Sequence, residues 1–353
     1  MKIVGDMIGR WWGNVPATVN RRKRREPGWT IAPVAVNFKT LRSFVTAVDT
    51  TSLSAAAQAL KMAQPALSQQ IAALESHFGQ KLLLRSNIGV TPTAAGRELY
   101  RHAQLMLNQL ECAEREVARE RGTISGTVSV GLATYSTTSI LSTPLLRAVR
   151  EEHPGISLFI NDNFGLVLSE MVMTGRMDMA IIYAPSQLAG VRLEPMLVEE
   201  LFFIAPPGTA LPAGCDETIP LAAVAAMELL LPGRTHYLRR LIDSAFARSR
   251  VRPHVIAEIE SAATLREAIE AGLGATILPW AVASTFSGPA LPVVRRVVEP
   301  SIETTVSLCV SDHQPMSEPA RVVADILEGL VRELLGSGRC GGIRAPHDSA
   351  AAL

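Results

Sequence analysis

From Asn37 to Gly79 the apolar residues recur with the spacing of three short helices. Leu41, Phe44, Val45 and Val48 stand at i, i+3, i+4 and i+7, one face of a first helix. Thr50-Thr51-Ser52 interrupts the pattern, and Ser52 is suited to cap an alanine-rich helix from Leu53 to Leu60. After a break at Met62-Ala63, Pro65 sits where a first helical turn tolerates proline, because its missing N–H would have no partner there. The third helix runs to His77 or Phe78 and closes at Gly79. Its inward stripe is Leu67, Ile71, Leu74 and Phe78. Its outward face is Gln64, Ser68, Gln69 and Ala72, which is small, polar and nearly uncharged. Such side chains fit a major groove and hydrogen-bond base edges. The alternative is a solvated helix that is simply rich in glutamine.

Lys81 to Thr91 reads as a hairpin. Leu82, Leu83 and Leu84 lead in, Ser86-Asn87-Ile88-Gly89 supplies the turn, and Arg85 lies near the tip. A basic wing beside a recognition helix contacts phosphates or reaches the minor groove. Thr93 then caps a long helix on which Leu99, Ala103, Met106, Leu110, Ala113 and Val117 form a heptad seam flanked by mixed charges. Over residues 94–121 that helix is about 42 Å long at 1.5 Å per residue. A narrow seam on so long a helix is hidden either by a second copy or by the rest of the chain. Paired copies would let two heads read the two halves of a pseudo-palindrome.

From Gly126 strand and helix alternate. Strands are expected at 128–132, 156–161, 179–183, 201–205, 255–259, 275–278 and 305–310, and helices at 139–152, 167–174, 238–248, 262–271 and 319–335. Alternation of this kind predicts a parallel sheet with helical crossovers. Ligands in such sheets sit beyond the carboxyl ends of strands, near helix N-termini. Thr134–Ser139, Asn161-Asp162-Asn163 and Ser261 are three such places. The last residues, 336–353, are rich in Gly and Ala and are expected to be disordered.

Charge sharpens this division. The formal net charge is only +1, yet residues 1–36 hold seven Lys/Arg against two Asp/Glu and 37–96 five against two, while 126–353 hold seventeen against twenty-four. A basic front on an acidic back suggests that one end alone meets a polyanion. Residues 1–36, with Trp11, Trp12 and the run Arg21-Arg22-Lys23-Arg24-Arg25, read as a disordered extension, the other reading being an arm that grips phosphates. With 48% hydrophobic and 19% charged residues the remainder buries a substantial core. Cys112, Cys215, Cys309 and Cys340 form no CxxC, so neither a disulfide framework nor a zinc site is expected, which suits a cytoplasmic protein. No apolar run is long enough for a membrane span, and none resembles a signal peptide. GxSxG, P-loop and HExxH motifs are absent, and Gly272-Leu273-Gly274 follows a helix as a cap would; no enzyme activity, metal or cofactor is expected. A transporter's solute-binding protein would fit the α/β half and leave the front of the chain unexplained.

Residues 37–335 resemble the LysR-type transcription regulators. The stretches that carry the likeness are NFKTLRSFVTAVDTTSLSAAAQALKMAQPALSQQIAALESHFGQKLLLRSNIGVTPTAAGREL and ESAATLREAIEAGLGATILP. The chain departs from the family's pattern at Ala63, where Ser is usual, at Leu83 or Leu84, where Phe is common, and at Ile88, where many members carry a second wing arginine. The usual family start also makes Val36 an alternative initiator. The stretch 231–239 is similar to a subgroup related to nitrogen-assimilation control. The resemblance implies a winged helix-turn-helix over 37–94, a linker and dimerisation helix over 95–122, and an α/β effector domain over 126–335 like a periplasmic binding protein. That domain would have one subdomain at 126–193 and 300–335 and another at 199–294, joined by crossings near Leu193–Glu199 and Val294–Glu299. Gln64, Pro65, Ser68, Gln69, Arg85 and Thr91 would then meet double-stranded promoter DNA. Thr134, Ser136, Asn163, Phe164, His236, Ser261 and Thr264 would line the cleft for a small-molecule effector, and the protein would work as a homo-oligomer, a dimer or a tetramer.

Overall fold

The computed structural model describes residues 36–86, 89–118, 124–183, 187–286 and 291–346. The basic N-terminal segment, the hairpin tip at Asn87 and Ile88, the junction at Gly122 and residues 347–353 lie outside the described residues.

The head is a trihelical core with a hairpin. α1 (Phe38–Asp49) begins in a capping box: Thr40 N donates to Asn37 Oδ1 at 2.9 Å, and Asn37 N donates to Thr40 Oγ1 at 3.1 Å. α2 (Leu53–Ala59) is capped by Ser52, whose Oγ accepts from Ala55 N, and α3 (Gln64–Phe78) starts at Ala63 with no side-chain cap. Ala56 and Ala57 are buried against Phe44, Leu67 and Ile71; methyl-sized side chains let the helices approach closely. Each of the larger buried side chains contributes about 1.5–3 kcal/mol. β1 (Leu83–Ser86) and β2 (Gly89–Pro92) form the antiparallel wing. Phe78 does not join the buried stripe but stands 44% exposed, because the helix ends one residue later, past the edge of the head's core. Its place in the stripe is taken by Glu75.

α4 (Ala94–Ala118) leads away from the head after Thr93, whose Oγ1 accepts from Gly96 N. Its seam divides. Leu99 and Ala103, with Leu107, pack on Leu41 and Val45 of α1. Met106 and Val117 are exposed, as is Ala113, while Leu110 is half-buried, so the C-terminal half of the seam is left largely uncovered by the described residues.

Beyond lies the α/β domain. β3 (Gly126–Ala133) runs parallel to β4 (Ile156–Asn163) and β5 (Met179–Tyr183). A 3-10 turn (Thr137–Leu141) and α5 (Ser142–Glu152) connect the first pair, where one helix from Ser139 was expected; α6 (Gly165–Met173) leads to the third strand. β6 (Val191–Ala205) is the spine of the domain. The other lobe adds β7 (Thr218–Pro220), α7 (Leu221–Val224), β8 (Glu228–Leu231), α8 (Tyr237–Arg248), β9 (His254–Glu258), α9 (Ala262–Glu270), β10 (Thr276–Pro279), α10 (Trp280–Ala283) and β11 (Val293–Val298). β12 (Glu303–Ser311) and α11 (Glu318–Ser337) return to the first lobe, and β13 (Ile343–Arg344) follows.

The sheet is mixed, not all parallel. β12 pairs antiparallel with β5 and with the first part of β6, up to Glu200; β10 and β11 pair antiparallel with its last part, from Leu201. One long strand therefore serves both lobes, and the outward crossing falls at Glu200–Leu201. The return falls between Val298 and Glu303, slightly beyond the segment expected. The predicted disordered tail also needs correction over 336–346. α11 continues to Ser337, Cys340 is buried, Glu200 N donates to Gly342 O at 2.8 Å, and Ile343–Arg344 pair with Val198 and Glu199. A composition of Gly and Ala suggested flexibility, but the free edge offered by β6 gives this segment a ladder to join.

Candidate nucleic-acid interface and ligand cleft

α3 is held by its inner face and leaves its outer face unoccupied. Gln64, Pro65 and Gln69 are exposed and Ser68 is half-buried. Among the described residues no hydrogen bond engages the side chains of Gln64, Ser68 or Gln69. Gln70, by contrast, is used internally, where its Oε1 accepts from Ser43 Oγ of α1 at 2.6 Å. Arg85 and Thr91 are exposed on the wing. Five of the six residues expected to meet DNA are thus exposed and the sixth, Ser68, is half-buried, four of them on α3 and two on the hairpin.

Glu75 was missed by the sequence reading. Its carboxylate, 7% exposed, accepts from Leu82 N and Leu83 N at 3.0 and 3.3 Å and from Lys81 Nζ at 2.6 Å. Burial alone would raise its pKa, but the hydrogen bonds from Lys81, Leu82 and Leu83 and the lysine charge outweigh it, so the carboxyl titrates below its ordinary range. One buried anion thereby ties the end of α3 to the start of the wing. Its position, one residue after Leu74 and four after Ile71, was a signal of burial.

In the α/β domain a cavity of about 200 Å³ lies between the lobes, lined by Phe164, Leu166 and Val167 at the start of α6, Tyr183, and His236, Tyr237 and Arg240 at the start of α8, among others. Of the expected cleft residues, Phe164 and His236 line it, and Thr134, next to the lining residue Ala133, stands behind His236. Thr134 Oγ1 is 3.5 Å from His236 Nε2, and the Phe164 ring stands edge-on to the imidazole at 5.4 Å. His236 Nδ1 accepts from Leu238 N, capping α8 and leaving the ring proton on Nε2. Burial, with the nearby Arg240 charge, lowers its pKa to about 4, so it is neutral. The other four are placed differently. Asn163 accepts from Phe164 N through its own side chain, and Ser136 is fully buried as the cap of the 3-10 turn. Ser261 and Thr264 stand exposed at the head of α9, where Ser261 Oγ accepts from Thr264 N. Two residues before Ser261, the Ile259 carbonyl accepts from Tyr135 OH at 3.0 Å.

Arg240 is exposed, lies 6.0 Å from the Tyr237 ring centroid, and forms no ion pair with a carboxylate among the described residues. Tyr237 stacks on Tyr183 at 6.0 Å. Arg240 follows His236 by one helical turn, the spacing by which it was findable; Tyr183 carried no such sign. Behind the cavity, where β6 changes lobes, Glu199 is 1% exposed; its carboxylate accepts from Thr137 N at 3.1 Å and from the Tyr183 hydroxyl. Burial pushes its pKa up to about 7.

Two family descriptions match the chain: "Bacterial regulatory helix-turn-helix protein, lysR family" over residues 38–97 and "LysR substrate binding domain" over 121–331. The nitrogen assimilation regulatory protein nac of Klebsiella aerogenes is 40% identical over 296 residues, covering 84% of this chain and 95% of that protein, and nac of Escherichia coli K12 matches to the same extent. A full-length OxyR variant from Pseudomonas aeruginosa superposes with a TM-score of 0.64 at 25% identity, covering 87% of this chain and 96% of that one. CbnR bound to its target DNA has the same fold, with a TM-score of 0.56 at 21% identity over 84% of this chain and 99% of that one.

Proposed function

The chain belongs to the LysR family of DNA-binding transcriptional regulators, and from that premise we propose that α3 reads promoter DNA while the cleft between the lobes takes the effector. Like its nitrogen-assimilation relatives it is a regulator and not an enzyme. Gln64, Pro65, Ser68 and Gln69 contact bases or adjacent phosphates; Arg85 and Thr91 anchor the wing. The observation that carries this reading is the outer face of α3. Its polar side chains have no hydrogen-bond partner within the described chain, on a helix whose other face is pinned by Leu67, Ile71, Leu74 and Glu75.

Phe164 and His236 form the cleft floor, with Thr134, Ser136 and Asn163 at the ends of β3 and β4 behind them and Ser261 and Thr264 on the lip. The lining favours a small molecule with an apolar body and one anionic end. Leu166, Val167, Tyr183 and Tyr237 are apolar or aromatic, neutral His236 donates from Nε2, and Arg240 is the cation at the mouth. The exposed residues Met106, Ala113 and Val117 of α4 support a dimer through that helix, with tetramers built from pairs of dimers, working in the cytoplasm.

A gel-shift titration with the duplex upstream of the protein's own gene tests the first half. A salt-sensitive, sequence-selective shift that weakens in Gln69→Ala is expected; binding indifferent to sequence would overturn the assignment of α3. A thermal-shift screen with small mono- and dicarboxylates tests the second. A ligand at a hundredfold excess over its Kd stabilises by about 2.7 kcal/mol. A shift that survives Arg240→Gln unchanged would remove the anion-binding role.

A further inference from the structure

We propose that α6 is the transmission element between the cleft and the DNA-binding head: its first turn is a wall of the cavity, and the turn that ends it grips α4. This rests on the reading of the cavity as the effector site. At one end, Phe164 to Val167 line the cavity, and Leu166 and Val167 are 54% and 40% exposed, large apolar side chains that a bound molecule would cover. At the other end, about 13 Å away at 1.5 Å per residue, Thr174 closes the helix and the buried Gly175 lies against α4.

The grip on α4 is close. Gly175 has φ +74, and a Cβ there would lie 3.2 Å from Asn108 Nδ2 and 3.3 Å from Leu105 Cδ2 and Gln314 Oε1. Gln314, from the loop after β12, donates through Nε2 to Leu105 O at 2.9 Å. Another face of the same stretch of α4 belongs to the head. Ala103 and Leu107 pack on Leu41 and Val45, and Gln104 Nε2 donates at 2.7 Å to Tyr100 OH, which donates to Asp49 at the end of α1. A shift of the Gly175 turn is therefore a shift of the helix that carries the head.

Two further observations favour a movable element. Leu168 and Val172 of α6 pack with Met177, Ala180, Ile182 and Cys309 in a cluster separate from the main core, so a displacement of the helix would disturb its own patch of sheet and leave the main core packed. At the junction itself Gln104 Oε1 is buried with no hydrogen-bond partner among the described residues. A buried acceptor left unsatisfied marks an arrangement that is not the best available to those groups.

Hydrogen exchange of the full-length protein, read by mass spectrometry, tests the link without a ligand. Leu166→Trp fills the cavity at the near end; Gln314→Ala loosens the far end; neither removes a core side chain. Leu166→Trp is expected to change exchange over 101–109 severalfold, and Gln314→Ala to change it over 164–168, with 128–132 and 306–310 unaltered in both. Changes confined to the mutated end in both variants would overturn the proposal. Reciprocal changes in a protein that no carboxylate stabilises would keep this link and remove the effector reading. A carboxylate that raises Tm yet leaves 101–109 unmoved would do the opposite.

Discussion

The hydroxyl of Tyr183 donates to the carboxylate of Glu199, and both groups are closed off from water at the point where β6 passes from one lobe to the other. Thr137 N completes the carboxylate's shell, and the Cys340 thiol, raised in pKa mainly by burial, lies close enough to feel its charge. A buried carboxyl of this kind holds its proton more tightly in the folded chain than in the unfolded one. Glu199 titrates near 7 when folded, against 4.5 for the ordinary carboxyl. The folded state therefore binds the extra proton between those values, and the stability it confers is full below 4.5 and lost as pH rises through 7, a few kcal/mol in all. Glu199→Gln is expected to gain on the wild type at pH 8 and not at pH 5 when urea midpoints are compared. A gap between the two proteins that is the same at both pH values would refute this.

Glu75 behaves in the opposite sense. Its carboxylate is needed charged, by two backbone N–H groups and Lys81. Its contribution is present at neutral pH and disappears as pH falls below about 4.5. Glu75→Ala strands the N–H groups of Leu82 and Leu83 and should cost about 2 kcal/mol, with loss of wing protection in hydrogen exchange; Glu75→Gln, which keeps an acceptor, should lose less. Equal losses in the two variants would show that the acceptor is not what matters.

The two kinds of DNA contact separate by salt dependence. Gln69→Ala should cost about 1–3 kcal/mol on the preferred duplex and little on random duplex, whereas Arg85→Ala should weaken both alike and reduce the slope of log K against log salt by about 1. Swapped signatures would exchange the roles of α3 and the wing.

The segment after α11 makes a fourth measurable claim. Gly342 has φ +69, and a Cβ there would come within 2.4 Å of Phe202 Cε2. Gly342→Ala should lift the strap from β6, lower Tm by several degrees for a loss of about 1 kcal/mol or more, and expose Cys340. Thiol titration should then show one additional fast-reacting cysteine besides half-buried Cys112. An unchanged thiol count would place the strap's anchorage elsewhere.

The head was the most legible part of the chain because its signals are local. Ser52 and Gly79 cap helices within a few residues of themselves, and the period of Leu67, Ile71 and Leu74 needs no distant partner. The α/β domain was legible in its elements but not in its pairing. Strands 179–183 and 303–311 read alike in sequence, yet one runs parallel to β3 and the other antiparallel to β5, which depends on how far the chain travels between them. Within the cleft, Phe164 and His236 follow from the rule that ligands gather at strand ends, and Thr134 stands one residue away from the lining. Ser261 and Thr264 follow the same rule but do not line the cavity, since Ser261 spends its hydroxyl on its own helix. Tyr183 and Glu199 could not be found beforehand: each is unremarkable in its own stretch, and they meet only because β12 pairs with both of their strands, Val306 opposite Tyr183 on one side and Thr304 opposite Glu199 on the other.

The shared strand has an evolutionary corollary. The chain leaves β6 for the second lobe and comes back on β11, with Phe202 directly opposite Arg296. Residues paired across such a ladder have Cα atoms about 5 Å apart. The whole lobe is thus a detachable loop whose two stems touch, and one pair of recombination points can exchange it between related genes. A lineage could acquire a new ligand preference by swapping that cassette while the operator-reading surface, encoded elsewhere, stays as it was.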